Sequence, residues 1–575
     1  MKQVMRFLRP YRAQCLLAPL FKLLEACFEL FVPLVVAAIV DVGIAGNDDS
    51  YILRMCGVLV LLAVVGLVSA VTAQYFAAVA ATGFGAAARR ALFGKIQSLS
   101  YRELDTVGTS TLITRMTADV NQAQTGVNLT LRLLLRSPFV VFGAWIMAWT
   151  VDPPSARIFA LVIPALALVV FAVMLITVPM YRRAQNKVDR VVGLTRENLT
   201  GVRVLRAFGR EAYEREAFDA ANTDLARYQG KVGRISALTN PLTYVLINLA
   251  IVLLLRVGVI RVTGGSLTQG QVIALYNYMS QILVELVKLA NYIVTVTKAV
   301  ASGSRMAAVL STESSLKAPA VDPTEPDGAP AITFSGVGMT YASASAPSLS
   351  DVTFSVPKGG TLGIIGGTGA GKSTLINLIP RFYDASEGTV LVDGVDVRDY
   401  PLETLRAKIG VVPQQARLFR GTVRENLQWG NPHATEEELN AALATAQATD
   451  VVASKANGLD ELVEAGGKNF SGGQRQRLTV ARALVKKPEI LILDDSASAL
   501  DYATDARLRR ALRRDCEGMT VVTVSQRVSA VRHADLIVVL ADGAVAGIGT
   551  DRTLRLTCPT YQEICRTQEK GGTSV

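Results

Sequence analysis

The chain has 575 residues, which is too long for a single hydrophobic core. Half of its residues are hydrophobic and its mean hydropathy is +0.33, more than an ordinary soluble domain carries, so part of it is expected to lie in a lipid bilayer. The net charge is +11, but the cations of residues 1–235 are scattered between apolar runs, which argues against nucleic-acid binding. The six cysteines lie far apart without a CxxC pair and there are two histidines, so neither a disulfide framework nor a zinc site is indicated.

Six apolar runs are about 20 residues long or longer, the length that crosses a bilayer. They lie near 15–40, 52–82, 131–150, 156–180, 240–262 and 271–296. The first run follows the basic sequence MKQVMRFLRPYR and is too long for the apolar part of a cleavable signal, so we expect it to remain attached. The sequence therefore predicts six transmembrane helices.

The loops between these runs differ in charge. Segments 41–50, 151–156 and 262–270 contain no lysine or arginine, whereas residues 2–12, 89–115 and 182–203 each contain one lysine and at least three arginines. The positive-inside rule therefore predicts a multi-pass protein of the cytoplasmic (cell) membrane with both termini in the cytoplasm. Because the inner connections are long, the helices are expected to continue into the cytosol.

The composition changes after the sixth run. Residues 311–330 are rich in proline, serine, alanine and acidic residues, which is typical of a linker. From 331 onwards, strand and helix signals alternate, as in an α/β nucleotide-binding domain. The predicted fold is thus a membrane α-helical bundle over 1–310, with long cytoplasmic extensions, fused to a cytosolic α/β P-loop domain over 331–575.

The glycine-rich sequence GGTGAGKS at 366–373 fits the pattern GxxxxGK[ST] and follows a strand-like run, TLGIIG. In this motif the small residues let backbone amides close around phosphates at a helix N-terminus, and the lysine and serine meet the β- and γ-phosphates and Mg2+. The candidate nucleotide-binding residues are Gly366, Gly367, Thr368, Gly369, Ala370, Gly371, Lys372, Ser373 and Thr374.

Two further motifs handle phosphate. LILDD, 491–495, is a buried strand that ends in carboxylates, where Asp494 is suited to hold magnesium through water. FSGGQ, 470–474, opens a helix whose exposed amides form an anion site. The candidate residues of this second site are Ser471, Gly472, Gly473 and Gln474.

With these motifs after six spans, the whole chain resembles a half-transporter of the ATP-binding cassette (ABC) exporter family. The resemblance implies that Tyr341 stacks on adenine, that Gln414 reaches the magnesium and the attacking water, and that FSGGQ covers the ATP of the opposite cassette. It also implies that SALD, 498–501, crosses between the two ATP sites and that 108–122 and 199–211 carry the coupling helices. The cofactors implied are ATP and Mg2+, and a dimer is required because one chain completes neither ATP site.

Two positions depart from the family pattern. Asp495 stands where the family has a glutamate as the general base, and its carboxylate is one methylene shorter. Gln526, in VTVSQRVS, stands where the family has a histidine that contacts the γ-phosphate, and glutamine cannot become cationic near neutral pH. FSGGQ is intact.

These departures resemble those of one subunit of the heterodimeric multidrug exporters. We therefore expect this chain to contribute a degenerate ATP site and to supply Ser471 to a competent site whose other residues come from a second half-transporter. The expected substrate is a small amphipathic or hydrophobic molecule. A homodimeric lipid flippase with slow ATPase activity and a non-transporting ATP-binding regulator remain as alternatives.

Charged residues also occur inside the apolar runs. Lys22, Glu25 and Glu29 follow helical spacing in the first run, and Glu285 and Lys288 can pair at i,i+3 in the sixth. They are candidates for a substrate cavity, or alternatively side chains that reach solvent. No particular substrate follows from them.

Overall fold

A computed structural model describes residues 2–342, 344–496 and 500–571. The chain divides into two compact units. The first comprises Met1–Gln97 and Ser110–Ser311, and the second comprises Ser98–Thr109 and Thr312–Val575.

The N-terminal 311 residues are helical. The α-helices are α1 (Lys2–Met5), α2 (Arg12–Ala38), α3 (Asp49–Ser98), α4 (Tyr101–Val107), α5 (Thr109–Thr114), α6 (Val120–Leu129), α7 (Arg136–Val151), α8 (Pro153–Thr200), α9 (Val202–Phe208), α10 (Glu211–Ala237), α11 (Thr239–Thr263) and α12 (Gln269–Ser311). Short 3₁₀ or π turns join several of them end to end.

Among the described residues, six continuous helical stretches are long and apolar enough to cross a membrane, as predicted. They are Gln3–Ile44, Asp49–Ser98, Thr109–Val151, Pro153–Thr200, Glu211–Thr263 and Gln269–Ser311. Each is 42 to 53 residues long, about twice what a bilayer needs, so every span continues beyond the membrane as a helix. The prolines within α2 and α8 do not end these helices.

The third span is irregular at two places. π turns at Arg115–Asp119 and Thr130–Leu134 interrupt it without a proline or glycine. The first ends at Asp119, which is buried and pairs with Arg305 of α12. Arg136 follows the second turn and also pairs with α12, through Glu285 at 2.7 Å. Both turns thus place a charged side chain against the sixth span, and π turns are often found at functional sites.

The core of the first unit combines small and large side chains. Alanines such as Ala26, Ala144 and Ala274 are fully buried and let the helices approach closely, while Phe159 and Tyr278 fill the space between them. The hydroxyl of Tyr278 donates to the carbonyl of Leu30 at 2.7 Å, which satisfies the polar end of this buried ring.

Twelve strands lie in the described part of the second unit. They are β1 (Ile332–Met339), β2 (Leu349–Val356), β3 (Thr361–Gly366), β4 (Glu387–Val392), β5 (Val395–Asp396), β6 (Ile409–Val412), β7 (Gly421–Thr422), β8 (Leu462–Val463), β9 (Ile490–Asp494), β10 (Thr520–Ser525), β11 (Leu536–Ala541) and β12 (Ala544–Gly549). Its helices after α4 are α13 (Lys372–Leu378), α14 (Leu402–Lys408), α15 (Val423–Gln428), α16 (Glu436–Thr445), α17 (Thr449–Ala453), α18 (Gly472–Val485), α19 (Tyr502–Asp515), α20 (Val528–Val531), α21 (Asp551–Thr557) and α22 (Pro559–Gly571).

A six-stranded sheet in the order β12-β11-β3-β10-β9-β6 forms the centre of this unit. Its strands β11, β3, β10, β9 and β6 are parallel, and β12 is antiparallel to β11 at one edge. Continuous apolar runs such as TLGIIG and ILIL are buried on both faces, which is the pattern of a covered parallel sheet. The carboxyl ends of β3, β9 and β10 therefore meet at one edge, where ligands bind in α/β folds.

The segment 312–330 has no helix or strand, but side chains fix it to the second unit. Glu325 pairs with Lys408 at 2.9 Å, and Asp322 accepts a hydrogen bond from Thr404 at 2.6 Å. Burial tends to lower the pKa of Lys408, but the hydrogen bonds that it donates to this and neighbouring carboxylates raise it overall. The predicted linker is thus attached to the domain that it precedes.

Helix α4 also belongs to the second unit. Tyr101 packs against Phe382 with ring centroids 4.9 Å apart, and Asp105 accepts a hydrogen bond from Tyr383 at 2.6 Å. A capping box of Ser100 and Glu103 begins this helix. Residues 98–109 thus pack within the second unit, directly before the segment 108–122 that the sequence predicts as the first coupling region.

Candidate nucleotide-binding site

The glycine-rich loop lies between β3 and α13, at the carboxyl edge of the central sheet. Gly369 and Gly371 have φ angles of 82° and 91°, in the left-handed region that favours glycine. A Cβ on Gly371 would lie 2.6 Å from the carbonyl oxygen of Ser348, so this position also needs glycine for close packing. The loop therefore adopts the compact turn that the motif predicts.

A cavity of about 420 Å³ opens beside this loop. It is lined by Pro347, Ser348, Thr368, Gly369, Ala370, Gly371, Lys372, Ser373, Thr374, Gln414, Asp494, Asp495, Val524, Gln526, Asp542 and Gly543. Of the site residues that the sequence predicts, 368–374 of the loop lie together here with Gln414, Asp494, Asp495 and Gln526.

Lys372 is buried and directed back onto its own loop. Its Nζ donates to the carbonyl oxygens of Gly366 at 3.0 Å and Gly367 at 2.6 Å. Burial lowers the pKa of Lys372, although the two nearby carboxylates, Asp495 and Asp494, oppose this. These carbonyls hold the ammonium group at the mouth of the cavity, where a phosphate can replace them.

Oxygen ligands for a magnesium ion lie at the base of the cavity. The hydroxyl of Ser373 donates to the carboxylate of Asp494, with oxygen–oxygen distances of 3.3 and 3.4 Å. Gln414 lines the same cavity and supplies an amide oxygen. Hydroxyl, carboxylate and amide oxygens suit the hard Mg2+ ion, so these residues fit the ion that accompanies ATP in this class of site. When bound, Mg2+ neutralises phosphate charge.

Both carboxylates at the end of β9 hold their protons more tightly than usual. Burial raises the pKa of Asp494, and the charge of Asp495 beside it adds to the effect. Burial also raises the pKa of Asp495, and Arg527 and Lys372 oppose it. The proton affinity of Asp494 and Asp495 is therefore raised in the part of the site where a general base would act.

Asp495 is the first residue after strand β9. Its φ is 41°, a left-handed conformation that aspartate tolerates better than most residues. Its backbone NH donates to the carbonyl of Val524 at 2.9 Å, and its carboxylate accepts from Ser525 at 3.5 Å. The short side chain is thus fastened to the neighbouring strand.

Gln526 follows the end of β10, is exposed, and lines the cavity. Its backbone carbonyl accepts from the amide of Gln568 at 2.7 Å, and Gln568 also accepts from the NH of Val528 at 2.9 Å. Helix α22 therefore fixes the backbone of Gln526, while the side chain of Gln526 faces the cavity.

Tyr341 lies beside the loop rather than in the cavity lining. Its hydroxyl donates to Thr374 at 3.2 Å, and its ring packs edge-on against Tyr383 at 5.2 Å between centroids. The ring is partly buried, which fits a surface on which an adenine can stack.

The signature residues begin helix α18, apart from the cavity at the loop. Ser471 caps α18 through a capping box with Gln474, in which Gln474 N donates to Ser471 Oγ at 3.3 Å and Ser471 N to Gln474 Oε1 at 2.9 Å. Ser471 and Gly472 are exposed, and none of residues 471–474 lines the cavity at the loop. Positions 498 and 499 of SALD lie outside the described residues, and Asp501 caps α19 through Thr504 N at 2.8 Å.

The sequence reasoning missed several residues of the cavity. Ser348 precedes β2, and Asp542 and Gly543 form the tight turn between β11 and β12. The carbonyl of Gly543 accepts from Ser350 N at 2.9 Å, which joins this turn to β2. An Asp-Gly turn signals a hairpin, but nothing in its sequence indicates that it borders a phosphate site.

A P-loop, a magnesium ligand set and a signature helix in one α/β domain, together with six membrane-spanning helices, define an ATP-driven membrane transporter. The sequence profile of the ABC transporter transmembrane region matches residues 15–286, and that of the ABC transporter domain matches residues 349–498. The chain belongs to the ABC transporter family, as an exporter-type half-transporter that hydrolyses ATP and works as a membrane dimer.

The similarity extends along the whole chain. An uncharacterized ABC transporter ATP-binding protein of Mycobacterium tuberculosis is 37% identical over 98% of both chains. The solved structure of a bacterial Atm1-family ABC exporter with ATP bound matches with a TM-score of 0.80 and 25% identity, covering 97% of this chain and 98% of that one.

Two other relatives have named activities. An ATP-dependent lipid A-core flippase of Chromohalobacter salexigens is 30% identical over 96% of this chain and 94% of its own. The probable multidrug resistance ABC transporter protein YheI of Bacillus subtilis is 35% identical over 67% of this chain and 65% of its own.

Proposed function

We propose that this chain is one half of a heterodimeric exporter that uses ATP to move a small amphipathic or hydrophobic molecule out across the cytoplasmic membrane. In this proposal, the chain contributes the loop and strand-end residues of a degenerate ATP site. It also supplies Ser471 and its signature helix to a competent site on the partner.

The joint presence of Asp495 and Gln526 in one site carries this proposal. Both side chains line the same cavity as Lys372, so both departures fall in one ATP site. A general base must lie within hydrogen-bond reach of the proton that it accepts, and the carboxylate of Asp495 is one methylene shorter than the glutamate of the family. Gln526 offers a hydrogen bond but no positive charge to a γ-phosphate. The site therefore favours binding of ATP over its hydrolysis.

The signature helix supports the second half of the proposal. Its capping serine and both glycines are intact, Ser471 and Gly472 are exposed, and all three residues lie outside the cavity of their own chain. A helix N-terminus of this kind binds anions through free amides and the helix dipole. It is thus available to the nucleotide of a partner.

Exposed apolar side chains occur where a second coupling helix is expected. Val204 and Phe208 of α9 are 60% and 76% exposed. Such side chains at a helix in the cytosolic extension suit docking on another protein surface. The family resemblance implies that α9 docks on the partner's cassette. The proposal also has both termini of this chain in the cytoplasm, on the same side as that cassette.

The names of the relatives favour two substrate classes. A multidrug substrate agrees with the name of YheI, and a lipid substrate agrees with that of the lipid A-core flippase. The second candidate function is accordingly a homodimeric flippase with slow ATPase activity. In a homodimer, both ATP sites would carry Asp495 and Gln526.

The test is an asymmetric loss of activity in the purified, paired complex. Asp495→Ala should leave substantial ATPase activity, whereas replacing the partner's catalytic base should abolish it. Equal losses would contradict the division of labour. If this chain alone forms a dimer that hydrolyses ATP and moves lipid, the homodimeric flippase is correct.

A further inference from the structure

A stripe of polar residues runs along one face of α12 within the sixth span. Asn277, Ser280, Gln281, Glu285 and Lys288 follow the i, i+3, i+4, i+8, i+11 spacing of one helix face. Polar and charged side chains inside a membrane are costly, so they usually face the interior of the bundle or a watery path. The stripe therefore marks a face of α12 that does not meet lipid.

A cavity of about 420 Å³ lies between this stripe and α2. From α2 it is lined by Glu29, Val32 and Pro33, and from α12 by the stripe and Val284. Its volume is within the range of small-molecule sites, and it combines apolar walls with a few convergent polar groups.

Glu285 is fully engaged within the protein. Its carboxylate accepts hydrogen bonds from Arg136 at 2.7 Å, from Ser137 at 2.7 Å and from Lys288 at 3.0 Å. The side chain is only 5% exposed. It therefore anchors the cavity wall and has little capacity left for a ligand.

The neighbouring groups do have free capacity. Lys288 uses one of its three N–H groups on Glu285, and its side chain is 46% exposed. Glu29 accepts from Arg136 through Oε2, and its side chain is 40% exposed. The amide oxygen of Gln281 is buried without a hydrogen-bond partner. The cavity thus presents an ammonium group together with two acceptors, Glu29 and Gln281.

This arrangement suits a ligand that carries both signs of charge. An anionic phosphate or carboxylate can pair with Lys288, and an amine can donate to Glu29 and Gln281. The formal charges of Glu29, Arg136, Glu285 and Lys288 cancel, so a ligand with a large net charge of either sign would be bound less favourably.

The depth of the cavity indicates where such a ligand comes from. Glu29 lies about 15 residues before the end of the first span at Ile44, and Glu285 about 16 residues after the start of the sixth at Gln269. At about 1.5 Å per residue this is about 22 to 24 Å from those ends. In a hydrocarbon core about 30 Å thick, that depth is near the opposite boundary. With the outer boundary of the membrane placed at residues 44 and 269, and with the orientation that the charge pattern predicts, the cavity lies at the level of the inner leaflet.

We propose that this cavity binds the zwitterionic head group of an amphiphile, one with an amine and a phosphate or carboxylate. This inference rests on the proposed export function and assigns a substrate class to it. Lys288 binds the anionic group, Glu29 and Gln281 bind the amine, and Val32 and Val284 contact the adjoining chain.

Binding of chain-labelled fluorescent lipids to the purified paired complex, without ATP, tests the proposal. We expect short-chain phosphatidylethanolamine to bind about tenfold more tightly than phosphatidylcholine, which lacks N–H donors, or phosphatidylglycerol, which lacks an amine. Lys288→Gln should weaken phosphatidylethanolamine binding about tenfold, and Glu29→Gln should remove its advantage over phosphatidylcholine. The matched control Lys298→Gln, an exposed cation further along α12, should change neither affinity.

Equal affinities for the three lipids, or affinities that Lys288→Gln leaves unchanged, would overturn the proposal. Thermal unfolding of each variant shows whether a loss of lipid binding comes from misfolding. Lys288→Arg keeps the positive charge, so it should bind phosphatidylethanolamine more tightly than Lys288→Gln does. Competition by glycerophosphoethanolamine would assign soluble zwitterions as ligands too, whereas no competition would assign the membrane lipid. Head-group-selective binding without ATP-driven movement in proteoliposomes would refute export while leaving this site intact.

Discussion

Lengthening the carboxylate at position 495 should raise the rate of hydrolysis at the ATP site of this chain. Asp495→Glu moves the carboxylate about 1.5 Å further from the backbone, and a misplacement of about 1 Å can cost about 10²-fold in rate. Such a factor corresponds to about 2.7 kcal/mol of activation free energy. Since Gln526 remains in place, we expect a rise of about tenfold to a hundredfold.

The structure also gives the expected side effect. Residue 495 has a φ of 41°, which glutamate tolerates less well than aspartate, so a cost of about 1 kcal/mol in domain stability is expected. This lowers the unfolding temperature without lowering the rate per folded complex.

The assay is steady-state ATPase activity of the paired complex in which the partner's base has been neutralised, so that the signal comes from the Lys372 site. Asp494→Glu is the matched control, because it lengthens the neighbouring carboxylate, which already contacts Ser373. It should give no rise in activity at this site. No rise for Asp495→Glu, or an equal rise for both variants, would refute the reasoning.

Three further outcomes follow from named contacts. Ser471→Arg should abolish most ATPase activity of the complex while leaving ATP binding to this chain's own loop intact, as measured by nucleotide binding. Arg136→Met should lower the free energy of unfolding by about 3 kcal/mol or more, measured by thermal denaturation, because it removes the main partner of buried Glu285. Asp393→Asn should cost about 2 kcal/mol in stability, measured by denaturation at several pH values. Burial tends to raise the pKa of Asp393, but hydrogen bonds from Lys358 and Lys408 hold it below its usual value of 3.8. The wild type should therefore be more stable than Asp393→Asn above that pH and lose this advantage at lower pH.

Local patterns predicted the features that depend on local sequence. The length of apolar runs predicted six spans, and spacing along a helix predicted the Glu285–Lys288 pair, which is present at 3.0 Å. The Lys22–Glu25 pair, at 2.5 Å, follows the same spacing. The glycine-rich loop and LILDD predicted the phosphate cavity because both motifs depend on a strand, a turn and a helix in a fixed order.

Features that join distant parts of the chain were not predictable in this way. Arg136 is one of two arginines inside an apolar run, and its partners Glu29 and Glu285 lie more than a hundred residues away in both directions. The attachment of the linker by Glu325 to Lys408 likewise depends on tertiary folding. A stretch rich in proline and acidic residues indicates a linker, but this composition is the same whether the linker is free in solvent or attached to a domain.

The central claim is that the two ATP sites of the complex differ, and the fate of the nucleotide at each site tests it most directly. The paired complex would be incubated with photoreactive ATP labelled on the γ-phosphate, allowed one turnover, cross-linked and separated into its two chains. The account predicts that this chain, at its Lys372 site, retains the γ-label as intact ATP while the partner's site holds only ADP. Equal loss of the γ-label from both chains would contradict it.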